Sequence, residues 1–108
     1  MKITDIFKKN KKTFSFEFFP PKDLHSAVRF GVNAGQLMKL DPSFVSVTYG
    51  AGGSSRDNSF EMVDLFHNDM KFNCMAHYTC VNATHEKIAY DMRTLQDMGI
   101  ENLMLLRG

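Results

Sequence analysis

The fold is decided by residues 73–106, NCMAHYTCVNATHEKIAYDMRTLQDMGIENLMLL, in which two apolar runs flank a segment of helical periodicity. Ile88, Met92 and Leu95 follow the spacing i, i+4 and i+7, which predicts a helix with one apolar face. Thr84 stands where a helix N-cap is expected. The stretch therefore predicts a β-α-β unit, in which two parallel strands are joined by a right-handed helical crossover.

The same unit repeats toward the N-terminus. Strand-like runs begin at steps of 30, 29 and 29 residues, near Phe14, Phe44, Asn73 and Asn102. Further helices are predicted at about 24–40, which Asp41-Pro42 ends, and at about 58–69, where Asn58 and Glu61 have capping-box spacing. The order β-α-β-α-β-α-β indicates an α/β fold, and both the open doubly wound sheet and the closed (β/α)8 barrel use this unit.

Two features favour the barrel. The glycines after the second strand do not have the G-x-G-x-x-G spacing of a dinucleotide-binding sheet. Strand alternation also places Glu17, Thr48 and His77 on one side of the sheet near the strand ends, where a barrel gathers its reactive groups. We therefore predict a partial (β/α)8 TIM barrel, with about the first four strands and three helices, in one domain spanning 1–108 without an internal boundary.

Composition excludes several classes of protein. The 108 residues are 44% hydrophobic and 23% charged, as in globular domains, and the net charge of +1 does not favour nucleic acid or an anionic membrane as partner. Neither a signal peptide nor an apolar run of about 18 residues is visible. Cys74 and Cys80 are too few for a disulfide scaffold, so we expect reduced thiols and a cytoplasmic location.

Glu17 lies in SFEFFPPK, residues 15–22, between phenylalanines. In one interpretation the carboxyl group is partly desolvated, which disfavours its charged form and makes it a proton donor near neutrality. In the other, Glu17 forms an ion pair across the barrel, with Arg107 as a candidate partner. Both interpretations require a polar site, and the pattern does not choose between them.

Other polar residues also have two interpretations. His77 has the position of either a hydrogen-bonded core residue or a catalytic group. The spacing Cys74-x-x-His77-x-x-Cys80 does not form a metal site, because an offset of three puts His77 on the strand face opposite both thiols. The glycine-rich segment 48–57 offers amides to an anion or a polar cofactor, although a plain strand-to-helix connection has the same composition.

Four motifs in order carry a resemblance to a known family: SFEFFPPK, FVSVTYGAGGSSRD, the strand end HYTC and GIENLMLLRG. From about Phe14 to Gly108 the chain resembles the N-terminal part of the flavin-dependent methylenetetrahydrofolate reductases. The resemblance implies a (β/α)8 barrel with FAD at its C-terminal mouth. It also implies that NADH or NADPH reduces the flavin, which then reduces 5,10-methylenetetrahydrofolate to 5-methyltetrahydrofolate.

The same resemblance implies roles for individual residues. Glu17 takes the place of the family's general acid, which protonates the folate nitrogen that leaves as the five-membered ring opens. The residues expected to contact FAD are Thr48, Tyr49, Ala51, His77, Arg107 and Gly108. Thr48 is also expected near the nicotinamide, and no metal is expected. The intact enzyme is expected to be a homo-oligomer.

The chain departs from the family pattern in two respects. Tyr78 stands where the family often has leucine, on the side of the strand that faces the helices. The chain also ends at Gly108, before the aspartate that follows Arg-Gly in the family, and a complete barrel needs about 250 residues. We therefore expect the first half of a reductase, inactive alone. The alternatives are a non-catalytic half-barrel that dimerises and binds flavin or pterin, and an inert fragment with exposed apolar surface.

Overall fold

The computed structural model describes residues 1–49 and 56–108, except for the side chains of residues 56 and 57. The strands are β1 (Ser15–Phe18), β2 (Phe44–Val47), β3 (Cys74–Thr79) and β4 (Asn102–Leu106). The helices are α1 (Ile3–Lys9), α2 (Leu24–Met38), α3 (Arg56–Asp64) and α4 (His85–Asp97). The predicted alternation of strands and helices is confirmed, and α1 precedes it.

The four strands form one parallel sheet in the order β1-β2-β3-β4. Each strand pairs with the next strand along the chain, so every connection carries the chain one step across the sheet. In the middle of the sheet, Glu17 pairs with Ser46, Ser46 with Met75, and Met75 with Asn102. This order and direction agree with the first four strands of a (β/α)8 barrel, as predicted.

The core lies between the sheet and its helices. Strand alternation turns Val45, Val47 and Ala76 toward the helices, and none of the three is exposed to solvent. Phe18 stacks on Phe66, with ring centroids 4.8 Å apart. The helix-facing side of each inner strand is therefore fully used in packing, and the opposite side carries the polar residues.

Helix boundaries follow local signals with one exception. Thr84 caps α4 as predicted, because its hydroxyl oxygen accepts a hydrogen bond of 3.1 Å from the Lys87 amide. Asp23 caps α2 in the same way. The capping box predicted at Asn58 is wrong, since α3 already begins at Arg56 and places Asn58 within its first turn.

The helix after β2 continues to the predicted end in a wider turn. Residues Leu65–Asp69 form a π-helical turn, in which the Met70 amide donates to the Leu65 carbonyl at 2.9 Å. Phe66 is fully buried in this turn. The turn therefore keeps the Phe66 side chain in the core, and the chain then continues to β3.

Helix α1 attaches to the far edge of the sheet. The Ile3 amide donates to Asn102 Oδ1 at 2.9 Å, and Asn102 Nδ2 donates to the Met1 carbonyl at 3.0 Å. Ile3 and Ile6 are buried. The segment forms a seven-residue helix that includes Lys8 and Lys9.

The outermost strands are β1 and β4, which leaves two sheet edges and the face opposite the helices uncovered in the described part of the chain. Four consecutive apolar side chains of β4 are exposed by 37–70%, and they are Leu103, Met104, Leu105 and Leu106. No helix among the described residues has the length and apolar character needed to cross a membrane.

Candidate active site

Glu17 and His77 meet on the side of the sheet opposite the helices. Oε1 of Glu17 lies 3.3 Å from Nε2 of His77. The His77 side chain is 5% exposed and that of Glu17 is 51% exposed. Their orientation is not that of a hydrogen bond, so Nε2 of His77 has no hydrogen-bond partner among the described residues. The pair combines a buried imidazole with a carboxylate that solvent and ligands can reach.

This geometry bears on both interpretations of Glu17. The carboxyl group is half buried and half exposed, so its partial desolvation and its role as proton donor stay predictions. Within the described part of the chain, the carboxyl group of Glu17 lies against His77 rather than Arg107. The register of the strands explains the contact. Glu17 on β1 pairs with Ser46, whereas His77 on β3 pairs with Met104 and lies two residues further toward the carboxyl ends of the strands. The two side chains are therefore diagonal neighbours on the same side of the sheet.

Thr48 is held by its main chain at the end of β2. Its amide donates to the Phe18 carbonyl at 3.0 Å, and its carbonyl accepts a bond of 2.9 Å from the Ser59 hydroxyl. Ser59 is fully buried in the first turn of α3. Sequence reasoning missed Ser59, since a serine near a helix start is too common to single out. The two bonds tie Thr48, at the start of the glycine-rich segment, to β1 and to α3.

Part of the predicted cofactor site lies outside the described residues. Ala51 and the glycines between positions 50 and 55 belong to this part of the chain. The predicted roles of Ala51 and of the glycine-rich segment therefore stay predictions.

Tyr49 turns its side chain toward the helices. Its ring centroid lies 5.1 Å from that of Tyr78, which is 1% exposed. Its hydroxyl oxygen accepts a hydrogen bond of 3.3 Å from Nζ of Lys87, in the first turn of α4. Strand alternation predicts this side for Tyr49, and a contact with a ligand at the barrel mouth would have to come from its main chain.

A buried carboxylate lies behind Tyr49. Oδ2 of Asp91 accepts two hydrogen bonds of 2.7 Å, from Nζ of Lys87 and from the hydroxyl of Tyr78. Asp91 is fully buried. Burial, followed by the bond to Asp91, raises the pKa of Tyr78. The bond to Asp91 also raises the pKa of Lys87. Sequence analysis missed this cluster, although Lys87 and Asp91 have the i, i+4 spacing of a helical ion pair.

Arg107 and Gly108 follow β4, and both are exposed. Gly108 has a positive φ of 87°, a conformation that favours glycine. A Cβ atom there would collide with Cγ2 of Val81 and come within 3.2 Å of Cβ of Thr79. The end of β4 thus passes close to the end of β3, and this approach requires glycine.

The thiols and His77 are separated as strand alternation predicts. Cys74 is buried in the core with the helix-facing side chains, while His77 contacts Glu17 on the other side of the sheet. Both thiols are free, and Cys80 is exposed. Among the described residues, no three His, Cys, Asp or Glu side chains form a group suited to a metal ion.

Fold and site together define a class of protein. The chain is part of a parallel α/β barrel, and polar side chains lie on the inner side of its strands and at the strand ends. The protein-family model described as methylenetetrahydrofolate reductase matches residues 2–108. The chain belongs to the methylenetetrahydrofolate reductase family.

Similar proteins occur in plants, fungi and bacteria. Methylenetetrahydrofolate reductase (NADH) 1 of Arabidopsis thaliana is 36% identical over 99% of this chain and 18% of its own length. Methylenetetrahydrofolate reductase 1 of Schizosaccharomyces pombe is 36% identical over 100% of this chain and 19% of its own length. The 5,10-methylenetetrahydrofolate reductase of Salmonella typhimurium is 33% identical over 87% and 32%, respectively. The chain therefore spans about a fifth to a third of these relatives.

Proposed function

We propose that this chain supplies the first part of the active site of an enzyme that reduces 5,10-methylenetetrahydrofolate to 5-methyltetrahydrofolate. The observation that carries the proposal is the half-exposed Glu17 carboxylate beside the buried His77 imidazole, on the inner side of a family member's sheet. In parallel barrels the reacting groups lie on this side, toward the carboxyl ends of the strands. The relatives are named as reductases of methylenetetrahydrofolate, and the folate substrate is proposed from them.

Glu17 is the proposed general acid. A carboxyl group at this position can protonate the folate nitrogen that leaves when the five-membered ring opens, which exposes an electrophilic iminium carbon. Since Glu17 is half exposed, it is open to a ligand on the uncovered side of the sheet. Nε2 of His77 lies 3.3 Å from Oε1 of Glu17.

The residues present fit a bound FAD. Nε2 of His77 is buried without a hydrogen-bond partner among the described residues, and it can donate to or accept from a ligand. The groups proposed to hold FAD are Thr48, Tyr49 through its main chain, Ala51, His77, Arg107 and Gly108. When bound, FAD would pass hydride from NADH or NADPH to the folate.

The proposal also covers the cellular compartment, the partners and the activity of the chain alone. The two free thiols fit a reducing compartment such as the cytoplasm. A homo-oligomer is proposed for the intact enzyme, and neither nucleic acid nor membrane is proposed as a partner. We infer that the chain is inactive alone, because the uncovered inner face leaves a folate exposed to water.

A non-catalytic half-barrel is the second candidate. The observation that favours it is the exposed apolar edge strand β4, with Leu105 exposed by 70%. An unpaired edge can join an equivalent edge of a second copy and extend the sheet. Such a dimer would bind flavin or pterin without turnover.

The acid role is tested by replacing the residue equivalent to Glu17 with Gln in a complete enzyme of the family. We expect folate reduction to fall about 10²-fold or more, the usual contribution of a general acid, while flavin reduction by the nicotinamide persists. The equivalent of Glu101→Gln is the control, because Glu101 contacts the N-terminal amine away from the site. Full activity of the first variant would remove Glu17 from the mechanism.

A further inference from the structure

The cluster behind Tyr49 has no part in the proposed proton transfer. It consists of Tyr49, Tyr78, Lys87 and Asp91, and it lies between the ends of β2 and β3 and the first turns of α4. A fully buried carboxylate is costly unless its charge is paired and hydrogen-bonded. Lys87 and Tyr78 satisfy Asp91, so the position of the Lys87 ammonium group is fixed by a residue inside the core.

The fixed ammonium group in turn holds Tyr49. Nζ of Lys87 donates to the Tyr49 hydroxyl at 3.3 Å and lies 6.0 Å from the centroid of the Tyr49 ring. The Tyr78 ring packs against Tyr49 from the other side. Three contacts therefore keep the Tyr49 side chain on the helix-facing side. Tyr49 directly precedes Gly50, the first glycine of the glycine-rich segment, and Thr48 before it is already fixed through Phe18 and Ser59.

We propose that Lys87 and Asp91 are positioning residues for the flavin site. They hold the Tyr49 ring among the helices, so that the main chain of Tyr49 is presented at the barrel mouth. The inference rests on the proposed function, because it takes FAD as the ligand at this end of β2. It predicts that the Tyr49 hydroxyl affects FAD binding through Lys87 and not by touching FAD.

A double-mutant cycle on FAD affinity tests the inference. In the purified chain, Lys87→Met and Tyr49→Phe remove the two ends of one hydrogen bond. Tyr49→Phe is expected to weaken FAD binding by about fivefold, the equivalent of one lost hydrogen bond. Lys87→Met also breaks the pair with Asp91, so it is expected to weaken binding at least as much, and the double variant should lose no more than Lys87→Met alone. Lys87→Arg keeps a charged donor and is expected to restore wild-type binding. Arg93→Met, an exposed position of the same helix, is the control and should bind like wild type.

Other results would overturn the inference. A loss of affinity with Tyr49→Phe but not with Lys87→Met would mean that the hydroxyl touches FAD directly. Additive losses would mean that the two residues act separately. If the wild-type chain alone does not bind FAD, the flavin-binding half-barrel fails, whereas the proposed function is tested separately by the equivalent of Glu17→Gln in a complete enzyme. The same cycle is then measured on the free energy of unfolding: coupled losses support the link between Lys87 and Tyr49, and additive losses overturn it.

Discussion

Single residues in this chain take their roles from the side of the strand on which they lie. Along β3, Cys74 and Tyr78 face the helices and are buried in the core, while His77 between them faces Glu17. Neighbouring residues therefore differ in chemistry although all three are buried. His77 can act on a ligand, whereas Cys74 can act only on stability.

The buried Cys74 thiol makes stability sensitive to alkaline pH. Burial raises the pKa of Cys74 from 9.0 to about 12. The contribution of Cys74 to the stability of the fold is fully present below pH 9.0, where the thiol is protonated in the folded and the unfolded chain. It is lost as pH rises through the folded-state pKa near 12. Between pH 8 and about pH 10.5, the Cys74 contribution to the free energy of unfolding should fall by about 2 kcal/mol.

Urea unfolding under reducing conditions at both pH values measures this loss. Cys74→Ala should lose about 2 kcal/mol less than wild type between the two pH values, whatever its stability at pH 8. Cys80→Ala is the matched control and should lose as much as wild type, since the exposed Cys80 is hydrated in the folded state too. Equal losses in all three proteins would contradict the prediction.

At the scale of elements, α4 joins the core to the site. Its first turn carries Lys87, its next turn carries Asp91, and Thr84 caps its N-terminus. Leu95, a residue exposed by only 2%, anchors the helix in the core. Any loss of order in the first turn of α4 should therefore release Lys87 and, with it, Tyr49.

The N-cap of α4 gives a prediction at this scale. Thr84→Ala removes the acceptor of the Lys87 amide and should lower the free energy of unfolding by about 1 kcal/mol. Thr94→Ala is the same substitution inside the helix, where alanine is the better helix former, and it should not destabilise the chain. Thermal unfolding followed by circular dichroism measures both. Equal destabilisation by the two variants would mean that the cap bond contributes nothing.

For the whole molecule, the main feature is a parallel sheet without closure. Parallel sheets are ordinarily covered on both faces, and here β1 and β4 are edges and one face is uncovered in the described part of the chain. Exposed apolar residues on β4 add surface that favours association. Self-association and cofactor binding of this chain should therefore be measured together.

Sizing chromatography beside an FAD titration addresses both questions. We expect wild type to elute as an oligomer, and Leu105→Lys to elute closer to a monomer, because a charge on an edge strand opposes edge-to-edge pairing. Val28→Lys, at an apolar position of α2 that is exposed by 63%, is the control and should elute like wild type. Wild type that elutes as a monomer would contradict the prediction. FAD binding that disappears with the oligomer would favour the dimeric half-barrel.

The sequence by itself determined the alternation of strands and helices, the parallel sheet and the side of the sheet on which Glu17, Tyr49 and His77 lie. These features depend on periodicity and on caps such as Thr84, which are local and can be read along the chain. The bounds of α2 were predicted to within two residues and the cap of α4 was predicted at Thr84, whereas α3 begins two residues earlier than predicted.

Only the tertiary structure decided which side chains meet. The contact of Glu17 with His77, and not with Arg107, depends on a diagonal step across two strands. The links from Ser59 to Thr48 and from Asp91 through Lys87 to Tyr49 join different elements of the chain. Periodicity fixes the direction of each side chain along its own strand or helix, but distances between elements are set by the register of the sheet and by helix packing, which local patterns do not encode.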